Sequence, residues 1–375
     1  SITSSSLTDL GILETAIDNS EFSNATGLTT IAVSDTTIDA TTLASTIDAY
    51  DLINGVDTTL MTLASGATIN IDASEIATIL GHETGSIAGG SRLTISDQNI
   101  VVTGNISVDD ANLLSATTTG TVTASITTTE SITELKTLTE TTNAYTIEIS
   151  SADASTALAA DIIELAGKTT GTINTSAVTA ITGNYVEITA LYETAGVSEH
   201  LSTANLFVNG DLTVEQANVI DALTDGTVNG FIDSDQTVDQ LKTLTGVNAY
   251  TIQISSADAT GSTASEFNTI NGLTTEAIDA SAVTSLAHDS ISNINTLLIA
   301  GNDTAQFTNT SFSQLSSVSI FDVTQYLSNH ADLTAFFTAE NGYSTTAQQE
   351  AGATKHYDDF GIKEERHDGS IDVSV

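Results

Sequence analysis

The sequence predicts an α/β protein, a repeat solenoid of stacked strand–helix units with a parallel sheet, followed by a small helical C-terminal module. Three observations support this fold class. A long internal duplication covers most of the chain, each copy alternates β-branched runs with helix-start signals, and the composition changes near residue 316. Stacked units produce such sequences because each unit has an apolar face that only a neighbouring unit can cover.

The duplication is clearest in the middle of the chain. Residues 135–155 read "LKTLTETTNAYTIEISSADAS", and residues 241–260 read "LKTLTGVNAYTIQISSADAT". The match continues upstream, where "VTGNISVDDANLLSATTTGTV" from Val102 aligns with "VNGDLTVEQANVIDALTDGTV" from Val208, an offset of 106. A chain that repeats a stretch without catalytic residues is more typical of a structural array than of an enzyme.

The duplication also continues downstream. There, "IIELAGKTTGTINTSAVTAITG" from Ile162 aligns with "FNTINGLTTEAIDASAVTSLAH" from Phe267, an offset of 105. The second copy has therefore lost one residue opposite the segment between Thr139 and Asn143. A more weakly similar segment precedes both copies, since "INIDASEIATILG" at residue 69 resembles "INTSAVTAITG" at residue 173. We predict four segments: degenerate repeats over 1–101, copies over 102–207 and 208–315, and the helical module over 316–375.

Short β-branched runs predict the strands, for example "NISV", "GTVTASI", "NAYTIEI" and "GTINTSAV". A Ser, Thr, Asp or Asn follows each run and precedes apolar residues at helical spacing, which predicts a capped helix. In "DDANLLSAT" we expect Asp109 or Asp110 to cap the helix. Leu113 and Leu114 are then expected to face the core.

The next helix is predicted in "TTTESITELKTL", with Thr128 or Thr129 as its cap. Its inward positions follow an i, i+3, i+6 pattern: Ile132, Leu135 and Leu138. A third helix is predicted in "SSADASTALAADIIELAG". We expect it to stop at Gly167, because glycine accepts the positive φ that commonly ends a helix.

The strands of these units are expected to run parallel, because a strand–helix–strand crossover within one sheet requires it. An all-β solenoid remains the alternative, in which the helical segments are further strands. The Thr-rich alternating stretch "TTIAVSDTTIDATTLASTIDAY" at residues 29–50 favours that alternative.

The charge excludes two classes of partner. Asp and Glu number 48 against 7 Lys and Arg, which gives a net charge of −41. Nucleic acid is not an expected partner, because phosphate binding needs clustered cations. An anionic membrane surface is excluded for the same reason. Since 40% of the residues are hydrophobic, we expect a folded protein with an anionic surface rather than a disordered chain.

The chain has no cysteine, so it has no disulfide or thiolate metal site. It also has no uninterrupted apolar run long enough to cross a bilayer, so no membrane insertion is predicted.

Calcium is the expected cofactor. Oxygen ligands, abundant Asp and a strongly negative surface suit a hard divalent cation. The stretch "GGSRLTISD" at residue 89 fails the glycine–aspartate repeat of calcium β-rolls, so any site must be built from turns. The candidate donors are turn aspartates: Asp109, Asp110, Asp153, Asp233, Asp235 and Asp258. For each of them singly, helix capping or solvent exposure is the simpler role.

Catalytic motifs are weak throughout, and we expect no enzyme activity. "GHETG" places His82 beside Glu83 but lacks the second histidine of a zinc helix, so a surface loop is expected. "GSIAGGS" at residue 85 is no phosphate loop, and "DDFG" at residue 358 has no accompanying kinase motif. The remaining metal candidates are three histidines near the end of the chain: His330, His356 and His367.

The last segment reads "FDVTQYLSNHADLTAFFTAENGYSTTAQQEAGATKHYDDFGIKEER". It resembles a short helical module found near the ends of large secreted bacterial proteins, many of them cyanobacterial. The matching residues are Phe321, Asp322, Tyr326, Leu327, Asn329, Asp332, Leu333, His356, Tyr357, Phe360, Gly361, Glu364 and Arg366. The proline expected before Asp332 is missing, and Glu365 replaces a glycine. The resemblance implies an exported host protein.

The repeats are similar to the Thr/Ser/Asp-rich repeats of large cell-surface and surface-layer proteins of marine bacteria. Stretches such as "TTGTINTSAVTAITG" carry this similarity. The end, "SIDVSV", resembles the C-terminal signals of type I secretion substrates.

We therefore expect a non-enzymatic extracellular structural protein. Its predicted role is that of a cation-stabilised subunit of a bacterial surface layer or filament that self-associates and meets other cell-surface components. The alternatives are an adhesin stalk or ligand-binding surface protein, and an ice-binding solenoid. The Thr-x-Thr pairs that an ice-binding face needs do not recur at one register.

Overall fold

The computed structural model describes residues 2–18, 30–54, 60–85, 91–197, 200–308, 310–320, 323–356 and 371–374. The chain divides into two compact regions. The first region comprises residues 1–181 and 189–202, and the second comprises residues 182–188 and 203–375. Both regions mix helices with parallel strands. The α/β prediction is confirmed, and the all-β alternative is wrong.

The strands of the first region lie in parallel sheets. In chain order they are β1 (Ile2–Ser5), β2 (Thr30–Val33), β3 (Thr37–Asp39), β4 (Leu60–Thr62), β5 (Thr68–Asp72), β6 (Leu93–Thr94), β7 (Asn99–Ile106), β8 (Val122–Ile126), β9 (Ala144–Glu148), β10 (Ala157–Leu158) and β11 (Ile173–Asn174). One sheet has the order β1-β2-β4-β6, and a larger one has the order β11-β9-β8-β7-β5-β3. Within each of these two sheets the strands therefore lie in chain order.

Helices connect these strands. They are α1 (Leu7–Asp18), α2 (Ala40–Asn54), α3 (Ile76–Thr84), α4 (Val108–Thr117), α5 (Ile132–Leu135) and α6 (Ala159–Ala166). A 3₁₀ turn, Ala73–Glu75, precedes α3. Strand β12 (Ala180–Asn184) and helix α7 (Tyr185–Glu193) include residues of both regions.

The second region follows the same scheme. It contains β13 (Asn205–Leu212), α8 (Val214–Asp221), β14 (Val228–Ile232), α9 (Val238–Leu241), β15 (Ala249–Thr251), α10 (Ala264–Asn271), β16 (Ser285–Asp289), α11 (Ile291–Gly301) and β17 (Ser317–Ile320). A 3₁₀ turn, Ser256–Asp258, precedes α10. Strands β13, β14 and β15 pair in parallel, as do β16 and β17.

Equivalent elements of the two copies recur at the offset found in the sequence. β7 and β13 begin at Asn99 and Asn205, and α4 and α8 begin at Val108 and Val214. After the lost residue the offset is smaller by one, as the starts of α6 at Ala159 and α10 at Ala264 show. The duplicated sequence therefore specifies the same order of elements from β7 to β9 and from β13 to β15, whereas the short strands β10 and β11 of the first copy have no counterpart among the strands of the second.

The helix starts differ in detail from the predicted caps. Ser107, not Asp109 or Asp110, caps α4 and accepts the N–H of Asp110. Ser131, not Thr128 or Thr129, caps α5. In both cases a serine directly before the apolar run is in the extended conformation that lets its hydroxyl reach the N3 amide.

The predicted inward positions Ile132, Leu135 and Leu138 are all buried, although α5 ends at Leu135 and Leu138 lies beyond it. In α4 the prediction is half right, because Leu114 is fully buried whereas Leu113 is 51% exposed. Adjacent helical residues lie about 100° apart, so one narrow core face accepts only one of them. Helix α6 does stop before Gly167, but the φ of this glycine is −78°, so positive φ is not the reason.

The predicted helical module consists of α12 (Val323–Asn329), α13 (Ala331–Phe336), a 3₁₀ turn (Ala339–Asn341) and α14 (Thr346–His356). Its apolar core is formed by Tyr326, Leu333, Phe337 and Ala353. The last strand, β18 (Ile371–Ser374), pairs antiparallel with β17. Part of the resemblance lies outside the described residues: Phe321, Asp322, Tyr357, Phe360, Gly361, Glu364 and Arg366.

Within the described parts of the chain, no helix combines the length and the apolar character that crossing a bilayer requires.

Candidate functional site

Two of the predicted calcium donors lie in the first turn of α4. Asp109 and Asp110 follow the capping residue Ser107, whose hydroxyl donates to the Asp110 carboxylate at 2.8 Å. Carboxylates at this end of a helix interact favourably with its exposed amides and its dipole. Both aspartates therefore have a local structural role.

Asp153 and Asp258 occupy equivalent positions in the two copies. The Asp153 carboxylate accepts the N–H of Ile132, the first residue of α5, at 3.1 Å. The Asp258 carboxylate accepts the N–H of Val238, the first residue of α9, also at 3.1 Å. Each aspartate thus completes the helix start of the preceding strand–helix unit.

The same contact recurs with other side chains. The carboxylate of Glu130 accepts the N–H of Val108 at 3.2 Å, and in the second copy the amide oxygen of Gln236 accepts the N–H of Val214 at 3.0 Å. In all four contacts the acceptor belongs to the strand–helix unit that follows the capped helix. We call these hydrogen bonds the inter-unit caps.

Asp233 and Asp235 lie between β14 and α9. The side chain of Asp233 accepts the N–H of Asp235 at 3.3 Å, and its own N–H donates to the carbonyl of Leu212 at 2.8 Å. The six predicted donors therefore lie in several separate turns. In the residues that the structure describes, no three His, Cys, Asp or Glu side chains form a group that could hold a metal ion.

Two of the three candidate metal-binding histidines pack around one tyrosine. The ring of His330 lies 4.8 Å from the ring of Tyr326, and Nδ1 of His356 lies 3.1 Å from the Tyr326 hydroxyl. Both histidines are half-buried and pack against the core residue Tyr326 of the helical module. His367 lies outside the described residues.

The loop predicted around His82 is wrong. Helix α3 runs through His82 to Thr84, and Gly85 ends it with a φ of 71°. The His82 side chain is 1% exposed. Burial lowers the pKa of His82 below its usual value, and the nearby carboxylate of Asp48, 3.6 Å away, opposes this effect.

Two lysines link helices at equivalent positions. Nζ of Lys136 lies 2.6 Å from Asp161, and Nζ of Lys242 lies 2.6 Å from Glu266. Lys242 also contacts Asp239 at 2.8 Å. Hydrogen bonds to these carboxylates raise the pKa of both lysines. Each copy therefore uses one of the chain's few basic residues to hold successive helices together.

Each copy contains a buried asparagine that was not predicted from the sequence. Oδ1 of Asn143 accepts the N–H of Val122 at 2.8 Å, and Oδ1 of Asn248 accepts the N–H of Val228 at 2.8 Å. Both side chains are buried. The "NAY" motif that occurs in both copies contains these residues and was the available signal.

A second missed feature is a recurrent Thr-x-Gly turn. In each turn the threonine hydroxyl accepts the glycine N–H at 2.9 Å, and the pairs are Thr118 with Gly120, Thr169 with Gly171, and Thr224 with Gly226. Each hydroxyl also donates to the carbonyl of an earlier strand or strand end, for example Thr118 to Gln98 at 2.6 Å. The glycine is required because a Cβ on Gly120 would lie 2.3 Å from that carbonyl oxygen.

The outward faces of the sheets differ between the copies. In the first copy one row across the strands contains Val101, Thr123 and Ala144. In the second copy the aligned positions are Phe207, Asn229 and Ala249. The next outward row of the second copy contains another exposed aromatic residue, Phe231. Comparing the copies position by position would have identified both phenylalanines.

Comparisons of the chain with protein-family models, with curated proteins and with solved structures found no match.

Proposed function

We propose that this chain is a non-enzymatic extracellular structural repeat protein, a cation-stabilised subunit of a bacterial surface layer or surface filament. We infer further that its strand–helix units stack as a solenoid within each compact region. The observation that carries this proposal is the inter-unit cap. This contact joins consecutive units at four helices, which supports a stacked array.

The spacing of the paired strands supports the stacking. Ile100 pairs with Val122, and Thr123 pairs with Ala144, so neighbouring strands come from consecutive strand–helix units. In the second copy Leu206 pairs with Val228, and these two residues are separated in the sequence by the same number of positions as Ile100 and Val122. This separation accommodates one strand and one short helix, which is the unit predicted from the sequence.

The acidity of the chain supports cation-dependent assembly. A net charge of −41 opposes the approach of a second copy. Monovalent salt screens this repulsion, whereas a calcium ion can also coordinate carboxylates from two chains. Assembly through bridging cations therefore reconciles self-association with an anionic surface.

Negative-stain microscopy with calcium and with a chelator tests the proposal. Ordered sheets or fibres that need calcium would support the surface-layer or filament role. Monodisperse rods under both conditions would instead favour an adhesin stalk. Light scattering at equal ionic strength of calcium chloride and sodium chloride completes the test, because equal responses would remove calcium from the mechanism.

The candidate donors are tested with a matched pair of variants. One variant carries Asp→Asn at all six predicted positions, which keeps an oxygen for the caps at Asp153 and Asp258. The control neutralises six exposed acids elsewhere: Glu140, Glu148, Glu193, Glu215, Asp225 and Glu276. We expect calcium-driven association to weaken more in the first variant than in the control. An equal loss would show that bulk charge, rather than these aspartates, binds the ion.

A further inference from the structure

We propose that a groove on the outward face of the second copy binds a lysine or arginine side chain presented by an extended basic segment of a partner protein. The groove has a volume of about 430 Å³. The residues that line it include Asp211, Phe231, Thr251, Gln253 and Asp279.

The strand register places these side chains next to one another. Asp211 of β13, Phe231 of β14 and Thr251 of β15 are direct partners across the sheet, so their Cα atoms lie about 5 Å apart. Two residues further along the chain, Gln253 pairs with Asp279. Phe231 thus lies in the same cross-strand row as Asp211. The neighbouring row contains the second carboxylate, that of Asp279.

The ring of Phe231 is unusual because it is 57% exposed on a strand that buries Val228 and Ile232. Packing of the protein itself does not require an aromatic residue there, since the equivalent position of the first copy is Ser125. An exposed aromatic ring inside a concave site is typical of a contact that a ligand completes.

The two copies differ in the features that would recognise a cation. Asn105 and Asn174 of the first copy correspond to Asp211 and Asp279 of the second, at offsets of 106 and 105. Together with Phe231 in place of a serine, these differences add two carboxylates and a ring to an otherwise equivalent sheet. One change has the opposite sign, since Gln253 replaces Glu148.

The position of Asp279 is fixed by its neighbours. One carboxylate oxygen accepts the N–H of Ser281 at 2.9 Å, and the other lies 3.4 Å from Nε2 of Gln253. An oriented carboxylate loses less conformational freedom on binding than a mobile one. The groove therefore presents a partly preorganised acceptor beside an aromatic face.

Charge decides the class of ligand. The residues that line the groove include two carboxylates and no Lys, Arg or His. A cleft lined by one sign of charge concentrates counter-ions, and the net charge of −41 strengthens that field. A cation over an aromatic face gains further attraction, and a lysine or arginine stem covers apolar surface. Anionic ligands are repelled for the same reasons.

The test uses calorimetric titration of the full chain at 150 mM NaCl with a short peptide, Gly-Ser-Arg-Gly-Arg-Ser-Gly, and its glutamine-substituted counterpart. We expect only the arginine peptide to bind. Phe231→Ser should weaken binding about two- to thirtyfold, the range that corresponds to cation–π energies of about 0.5–2 kcal/mol. Asp211→Asn and Asp279→Asn should each weaken it several-fold, and each introduces the residue of the first copy.

Phe207→Val is the matched control. Phe207 is also an exposed aromatic residue on the same sheet, it lies outside the groove lining, and its counterpart in the first copy is Val101. We expect this variant to bind the peptide like the wild type. Equal binding by wild type and Phe231→Ser would overturn the proposal, as would tight binding of a neutral oligosaccharide such as maltoheptaose in place of the peptide. Circular dichroism verifies that each variant is folded.

Discussion

At the scale of single residues, the inter-unit caps give two of the chain's many acidic residues, Asp153 and Asp258, a structural role. The inward orientation of Ile132 and Leu135 was predicted correctly from the sequence, because helical periodicity depends only on local spacing. The partners of Asp153 and Asp258 could not be predicted, since each lies across a unit boundary. A sequence shows that an aspartate is available for capping but not which helix it caps.

The first prediction concerns Asp258. Asp258→Ala should lower the free energy of unfolding by about 1 kcal/mol, because it leaves the Val238 N–H without its acceptor. Asp258→Asn should restore most of this loss, since its amide oxygen can accept the same hydrogen bond. Urea denaturation measures both effects. Asp235→Ala is the control, and a loss equal to that of Asp258→Ala would contradict the capping role.

The second prediction concerns His82 and pH. The pKa of His82 is lowered in the folded protein from a usual value of 6.5, and burial is the main cause. About one pH unit or more above 6.5, the imidazole is mostly neutral in both states and contributes little pH dependence. As the pH falls below 6.5, the unfolded chain gains a proton that the folded protein does not bind, so stability declines.

His82→Leu should therefore reduce the loss of stability between pH 7.5 and pH 5. Thr84→Leu, at an exposed position of the same helix and without a titratable group, should leave that loss unchanged. Urea denaturation at the two pH values is the measurement. If wild type and His82→Leu lose stability equally, the buried imidazole is not the group that titrates.

At the scale of elements, helices α4, α5 and α6 of the first copy were predicted from the sequence, whereas their caps were not, and β12 and α7 were not predicted at all. The runs around Val122 and Tyr145 formed strands as predicted. Caps were misplaced because serine, threonine and aspartate all satisfy a helix start, and the backbone conformation selects one of several adjacent candidates. Leu113 is exposed because the core-facing side of α4 accommodates only one of the two adjacent leucines, Leu113 and Leu114.

The third prediction compares two adjacent leucines of α4. Leu114→Asp should destabilise the protein by about 3–5 kcal/mol, because a carboxylate would enter a fully buried position. Leu113→Asp should change stability by less than about 0.5 kcal/mol, since that side chain is half exposed. Thermal melting separates the two outcomes, and similar effects would show that the helix face is assigned incorrectly.

The fourth prediction concerns the buried asparagines. Asn248 accepts the Val228 N–H and donates to Asp221 at 2.7 Å. Asn248→Ala should therefore cost about 2–3 kcal/mol, because it leaves a buried amide unsatisfied. Asn143→Ala should cost a similar amount in the first copy. Asn209→Ala, at an exposed position, is the control. If all three variants have the same free energy of unfolding in chemical denaturation, the buried asparagines do not have this role.

At the scale of the whole molecule, the duplication was the most reliable sequence signal. The offsets between the copies reappear in the starts of α4 and α8 and of α6 and α10. The groove at Phe231 was not predicted, because it depends on strand neighbours that belong to different strand–helix units. Contacts between side chains on neighbouring strands can be predicted only when the register of strand pairing is known.

The fifth prediction concerns the total charge. Raising sodium chloride from 10 to 150 mM shortens the Debye length from about 30 Å to about 8 Å. Because self-repulsion of a chain with a net charge of −41 opposes compaction, the melting temperature should rise by several degrees. Potassium chloride should give the same increase, since screening does not depend on the monovalent ion. A melting temperature that is insensitive to salt would mean that repulsion is not limiting.

The inter-unit caps also impose an order in time. During synthesis from the N-terminus, the residues of α9 emerge before Asp258, whose carboxylate accepts the N–H of Val238. Local capping by Thr237 can form as soon as α9 has been made, whereas the inter-unit cap requires the strand that follows. Each helix start of this kind is therefore completed in two stages during synthesis, first from within its own unit and then from the next one.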